Sequence, residues 1–217
     1  MNQPLQPRSR KTRLLGLLPA RLVTTRARGA GRTLFLTFDD GPHPEFTAPV
    51  LDLLKAHGAT ATFFLVGERI DRYPGLARRI VDEGHALGNH SWSHPRMGGL
   101  SLPEQLDEIG RTDVALSTID GRQTHPFRPP CGELPASLLL HFARVGRTIA
   151  FWSYDSLDYR LLPAQELLEQ IQANPPLAGD TILMHDDTAA TVELLAALLP
   201  RWRADGYAVR AMPEGLG

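Results

Sequence analysis

Thr33-Leu34-Phe35-Leu36-Thr37-Phe38-Asp39-Asp40-Gly41-Pro42 decides the fold of this 217-residue chain. Its first six residues are aromatic, leucine or threonine and read as a buried strand; a pair of carboxylates and a Gly-Pro turn then stop it. Outward from that stretch the same unit recurs. The spacing predicts a helix over 49–57, with Val50, Leu51, Leu53 and Leu54 on its buried side and Gly58 as its cap, then a strand over 60–66. A helix over 76–83, stopped by Gly84, precedes a short strand over 85–89. Ser101-Leu102-Pro103-Glu104 is a capping box that opens a helix running toward Ile119. The pattern continues with a strand at Phe127–Arg128, a helix over 137–145, a strand over 147–153, a helix over 164–173, a strand over 181–185, a helix over 191–199 and a strand over 207–212. Strict alternation implies a mainly parallel sheet, and seven or eight such units can close into a barrel. An open doubly wound sheet is the alternative, but no glycine-rich phosphate loop follows the first strand.

Hydrophobic residues make up 42% of the chain, enough for a sizeable core and too many for a disordered or fibrous one. Lysine plus arginine is 23 and aspartate plus glutamate 24, so no overall field recruits nucleic acid. The distribution is uneven. Arg8, Arg10, Lys11, Arg13, Arg21, Arg26, Arg28 and Arg32 fall in the first 33 positions, which hold no acid, leaving 15 basic against 24 acidic residues elsewhere. We divide the chain into a basic segment, 1–30, and a catalytic domain, 31–217. The segment is expected to pack along the domain; weak contact with an anionic membrane surface is the second reading. A secretory signal fits poorly, because the apolar run Leu14 to Ala20 is short, is broken by Pro19 and is followed by Arg21. A cytoplasmic or inner-membrane-face location is therefore the preferred expectation, with a monomer assumed. The lone Cys131 excludes an intramolecular disulfide and any multi-cysteine metal site.

Chemistry-bearing residues collect at the C-terminal ends of the predicted strands. Asp39 and Asp40 follow the first, His90 and His94 the third, Arg128 the fourth, Asp155 and Asp158 the fifth, and His185 and Asp186 the sixth. In a parallel barrel that rim builds the active site. Two histidines four apart can aim both imidazoles at one point from a helical turn, although such pairs also occur by chance on surfaces. An aspartate from a neighbouring strand end would complete a three-ligand site with positions open for water and substrate. Adjacent Asp39 and Asp40 repel unless a cation lies between them, so one can ligate while the other accepts a proton; Asp-Asp-Gly-Pro is equally good turn chemistry. His43, His57, His85, His125 and His141 lack partners at ligand spacing and are read as structural.

Thr37-Phe38-Asp39-Asp40-Gly41-Pro42, His90-Ser91-Trp92-Ser93-His94, Arg128-Pro129-Pro130-Cys131-Gly132, Asp155-Ser156-Leu157-Asp158-Tyr159 and Ile182-Leu183-Met184-His185-Asp186 together resemble, in order, the five motifs of the polysaccharide deacetylase, or NodB-homology, family (carbohydrate esterase family 4). The resemblance implies a distorted (β/α) barrel of seven or eight mainly parallel strands and metal-dependent removal of an acetyl group from a sugar. It implies Asp39 as general base, Asp40, His90 and His94 as metal ligands, and Arg128 as the partner of the base. His185 is implied as general acid, Asp155 as the carboxylate that orients it, and Leu183 as the wall of the acetyl-methyl pocket. Cys131 stands where the family has a bulky aromatic and supplies a backbone N–H to the oxyanion; Tyr159 stands where tryptophan is common. Trp152 is expected beside the substrate.

The function expected from the sequence is therefore de-N-acetylation of an amino sugar or a glycan containing one, with zinc as the metal and cobalt, nickel or manganese as substitutes. A lipid-linked or soluble sugar reached from the cytoplasmic side is preferred. The alternatives are deformylation, O-deacetylation, and a non-catalytic carbohydrate-binding relative. The last of these predicts loss of at least one of Asp39, Asp40, His90, His94 and His185, and none is lost.

Overall fold

Period-two alternation along the central strand divides the molecule into an outer packing layer and a polar interior. The computed structural model describes residues 9–27, 31–160 and 162–213. In chain order the elements are α1 (Arg10–Leu15), β1 (Val23–Thr24), β2 (Thr33–Asp39), α2 (Thr47–Ala56), β3 (Thr62–Leu65), α3 (Gly67–Arg72), α4 (Pro74–Asp82), β4 (Ala86–Asn89), α5 (Leu102–Asp120), α6 (Ala136–Val145), β5 (Ile149–Ala150), β6 (Tyr154–Asp155), α7 (Ala164–Ala173), β7 (Thr181–His185), α8 (Ala189–Ala204) and β8 (Ala208–Arg210). On β2, Leu34, Leu36 and Phe38 turn outward into a core shared with Val50, Leu51 and Leu54 of α2 and with Leu194, Leu195 and Leu198 of α8. Thr37 and Asp39 turn inward, where both meet Arg128.

The named strands pair in parallel, in the order β4-β3-β2-β7-β6. β2 uses one edge twice: Thr33–Phe35 pair with β8 and Thr37–Asp39 with β3. Phe127 carries the path onward by single bridges to Asn89 and to Ile149, and β5 pairs with β1. This is the expected α/β distorted barrel, with short strands and an interrupted wall. Residues 9–27 pack along it, and β1 joins the sheet.

Several elements differ from the sequence expectation for identifiable reasons. Phe127–Arg128 contributes only two isolated bridges, both at Phe127, because Pro126 on one side and Pro129 and Pro130 on the other cannot donate to a ladder. The strand expected over 147–153 splits, since the chain leaves β1 after Ala150 and joins β7 at Tyr154. The six-residue helix α3 falls in a stretch read as a connection, too short to show a helical period. The capping box at Ser101 and Glu104 is present, and α7 and β7 have the expected bounds.

Candidate active site

Register brings the chemistry together. Asp39 pairs with His185 across β2 and β7, so two strand ends that are distant in sequence become neighbours on one rim. Asp39, Asp40, His90, His94, Cys131, Gly132, Trp152, Asp155, Tyr159, Leu183 and His185 line one cavity of about 360 Å³ there. Arg128 lies beneath it. A larger cavity, about 530 Å³, opens among Thr62, Ala86, His125, His141 and Arg147 and holds none of these groups, so volume alone does not locate the chemistry.

Arg128 is fully buried and stacks over Phe64 at 4.0 Å. It donates through Nη1 to Asp39 Oδ1 at 2.6 Å and to Thr37 Oγ1 at 2.8 Å, and through Nη2 to the Phe151 carbonyl at 3.2 Å. Burial lowers the guanidinium pKa, and the adjacent Asp39 charge opposes that shift. A buried pair of this kind strongly resists loss of one partner, which would leave an uncompensated charge.

Asp40 Oδ1 lies 3.4 Å from His90 Nε2 and 3.2 Å from His94 Nε2, and the three ligand atoms fall within 4.8 Å of one another. The histidines do not lie on a helical turn, as the spacing had suggested. They sit in an irregular loop with Ser91 and His94 at positive φ, 67° and 56°. His90 Nδ1 contacts the Arg128 carbonyl at 2.8 Å, which can only accept, so Nδ1 carries the proton. That leaves Nε2 facing the Asp40 carboxylate, as Nε2 of His94 does. Asp40 Oδ1 is buried with no hydrogen-bond partner among the described residues. An anion facing imidazole lone pairs is the donor set of a divalent cation, and the residues present fit one. Burial raises the Asp40 pKa, but positive charge on the facing imidazoles of His90, His94 and His185 outweighs it and holds the carboxyl well below its ordinary range.

His185 has a different orienting carboxylate from the expected one. Asp158 Oδ1 accepts from His185 Nδ1 at 2.8 Å, while its Oδ2 accepts from the His185 backbone N–H at 2.8 Å and from Thr191 Oγ1 at 2.9 Å. Register explains the correction: Asp155 pairs with Leu183, two residues below His185, and a tight turn over Asp158–Arg160 brings the later carboxylate back to the rim. Asp155 instead accepts from the Leu157 N–H at 3.0 Å and faces the cavity, with burial pushing its pKa up to about 6. Burial works against a charged His185. The hydrogen bond and charge of Asp158, joined by the charges of Asp39 and Asp40, overcome it and push the imidazole up to about 10.

Leu183 is 3% exposed and forms part of the cavity wall. Trp152 packs against Phe151 and lies over Gly132. Cys131 has φ 53° and an exposed side chain, and Gly132 N–H and Glu133 N–H close the turn onto the carbonyls of Pro129 and Pro130. Tyr159 meets His185 edge-on at 5.6 Å between centroids.

The supports behind these groups come from elsewhere in the chain. Glu108 on α5 accepts from the backbone N–H groups of Trp92 and Ser93, at 2.9 and 2.8 Å, and so holds the histidine loop. Asn89 accepts from the Ser91 N–H through Oδ1 and donates through Nδ2 to Asp113 on α5, bracing the same loop from its inner side. Asp186 accepts from Thr47, and burial pushes it up to about 7. Its carboxylate lies so close under Gly41 that a Cβ there would fall 2.5 Å from Oδ1. Such contacts join residues far apart in sequence and leave no local signal.

The family model described as polysaccharide deacetylase matches residues 26–150, more than half of the chain. A peptidoglycan-N-acetylglucosamine deacetylase of Bacillus cereus is 34% identical over 183 residues, covering 82% of this chain and 66% of the relative. The chain spans 39% and 37% of the length of similar peptidoglycan deacetylases from Listeria monocytogenes and Bacillus subtilis. Among solved structures, the Bc1960 peptidoglycan N-acetylglucosamine deacetylase superposes with a TM-score of 0.82 at 31% identity, over 88% of this chain and 91% of that one. A pseudoenzyme of carbohydrate esterase family 4 from Bacillus anthracis superposes nearly as well, with a TM-score of 0.81 at 25% identity over 89% and 68%. Likeness in fold therefore does not carry activity by itself, but likeness over this share of the chain does carry ancestry. The chain belongs to the polysaccharide deacetylase family.

Proposed function

We propose that the chain is a metal-dependent carbohydrate de-N-acetylase. The observation that carries this reading is the placement of the Asp40, His90 and His94 cluster in one cavity with two opposed proton-handling groups, Asp39 backed by Arg128 and His185 backed by Asp158. Zinc suits two imidazoles and a carboxylate, with cobalt, nickel and manganese as substitutes. Held by these three side chains, the ion would polarise the acetyl carbonyl and acidify water.

The remaining steps belong to the chain's own residues. Asp39 accepts a proton from the attacking water as its oxygen bonds to the acetyl carbon. The Cys131 backbone N–H stabilises the charge that develops on the carbonyl oxygen. His185, protonated on both nitrogens and held at Nδ1 by Asp158, gives its Nε2 proton to the sugar nitrogen as the carbon–nitrogen bond breaks. Acetate and a free amine leave. Leu183 closes the wall against the acetyl methyl, and Trp152 and Tyr159 offer ring faces to the sugar. The relatives' named substrates, peptidoglycan and chitooligosaccharide, support a glycan containing N-acetylated amino sugars as the substrate class.

Acetate release from N-acetylglucosamine oligomers and from peptidoglycan tests the proposal, measured before chelation, after it and on adding back each divalent metal. Activity should vanish with the metal and return most fully with zinc. Release of formate from N-formyl sugars in place of acetate would favour the deformylase alternative, and no acyl release from any substrate would favour a non-catalytic relative.

A further inference from the structure

Helix α1 and the turn after it present two faces of opposite character. Leu15 and Leu18 pack inward against a core that includes Phe127, Leu138, Phe142 and Ile149, and Thr12 is the buried residue of the helix itself. Leu14 and Leu17 point the other way and are 67% and 80% exposed. Arg10, Lys11, Arg13 and Arg21 of the same segment are all exposed, and no acidic residue occurs in the first 33 positions. Among the described residues neither Arg10, Arg13 nor Arg21 forms an ion pair. Lys11 Nζ donates to the Gly132 carbonyl at 2.5 Å, which ties the helix to a loop that lines the catalytic cavity.

We propose that this face docks on a bilayer containing anionic lipid. Two leucines set among unpaired cations match a headgroup layer, where apolar side chains reach the acyl boundary while guanidinium groups meet phosphates. A soluble polyanion would use the cations and leave the leucines idle. Through the Lys11 contact, docking sets the cavity mouth beside the membrane surface. The consequence that sugars presented at a membrane are favoured substrates rests on the proposed deacetylase activity, whereas docking itself does not.

Flotation of the full chain with vesicles tests docking with no reference to catalysis. Phosphatidylcholine vesicles containing phosphatidylglycerol should retain the protein, and phosphatidylcholine alone should not. Arg10→Gln and Arg13→Gln should each weaken retention about five-fold, since a cation near such a surface contributes about 1 kcal/mol. Leu14→Ala combined with Leu17→Ala should weaken it by about tenfold or more. Both sets lie on the surface, and unchanged thermal unfolding would verify that the fold is intact. Equal retention of the leucine variant and the parent, with loss only in the arginine variants and in high salt, would mean a general polyanion surface and overturn the proposal. Failure of the parent to float with any vesicle would do the same.

Discussion

Replacing Asp158 with asparagine separates the two strand-end carboxylates most sharply. In the folded chain Asp158 takes three donors: His185 Nδ1, the His185 backbone N–H and Thr191 Oγ1. An asparagine has one carbonyl oxygen, so its NH₂ must face one of those donors, and the charge that favours imidazolium is gone. The rise from 6.5 to about 10 at His185 corresponds to roughly 5 kcal/mol of preference for the protonated ring, with Asp158 its largest favourable source. A dication on Asp40 opposes the shares of Asp39 and Asp40 and leaves that of Asp158. Without the Asp158 charge, burial is opposed less and the ring should carry a proton less often at pH 7. Asp158→Asn should therefore lower kcat about 10²–10⁴-fold at neutral pH, with residual activity recovering toward acid pH. Asp155→Asn, which leaves the His185 contacts intact, should cost less than about tenfold.

Stability carries the same signature. A raised histidine pKa stabilises the fold fully below about 6.5, and that stabilisation is lost as pH rises toward about 10. In metal-free protein the melting temperature should fall between neutral pH and pH 10, and Asp158→Asn should flatten the fall. Acetate release across pH, together with thermal melts, reads both effects. Near-normal activity in Asp158→Asn beside collapse in Asp155→Asn would refute the reasoning and restore the carboxylate expected from the sequence.

Gly41→Ala should destabilise the chain by about 1–3 kcal/mol and weaken metal binding, because its Cβ would meet Asp186 and push the loop that carries Asp40; denaturant unfolding and metal titration check it. Glu108→Gln should lower metal affinity about 10–100-fold with the fold intact, since two backbone N–H groups of the histidine loop lose their charged acceptor; isothermal titration measures it. Cys131→Ala should keep acetate release within about three-fold, because an oxyanion donor on the backbone survives any side-chain change. Metal loss in that variant would show that the thiol takes part.

Much of the barrel could be read along the chain because each strand-and-helix unit is a local object. Strand β7 and helix α7 carry their periodicity within ten residues, and Ser101 and Glu104 cap α5 over four. The two-residue strands β1, β5 and β6 are too short to alternate, and their existence depends on partners far away in sequence. The site divides the same way. Asp39, Asp40, His90, His94 and His185 stand at strand ends that the sequence places on one rim, and the structure brings them into one cavity. The exchange of Asp155 for Asp158 was not legible, since both carboxylates follow the same predicted strand and only the Asp155–Leu183 register decides between them. The loop geometry around His90, held by Asn89 and Glu108, was hidden for the same reason.

Metal content and acetate release, measured together in Asp39→Asn and Asp40→Asn, separate the base from the ligand. Asp39 bonds Arg128, while Asp40 faces both imidazoles. Asp39→Asn should keep about one divalent ion per chain and lose at least about 10²-fold in activity, whereas Asp40→Asn should lose the ion itself. Equal metal loss in both variants, or full activity in Asp39→Asn, would contradict that assignment.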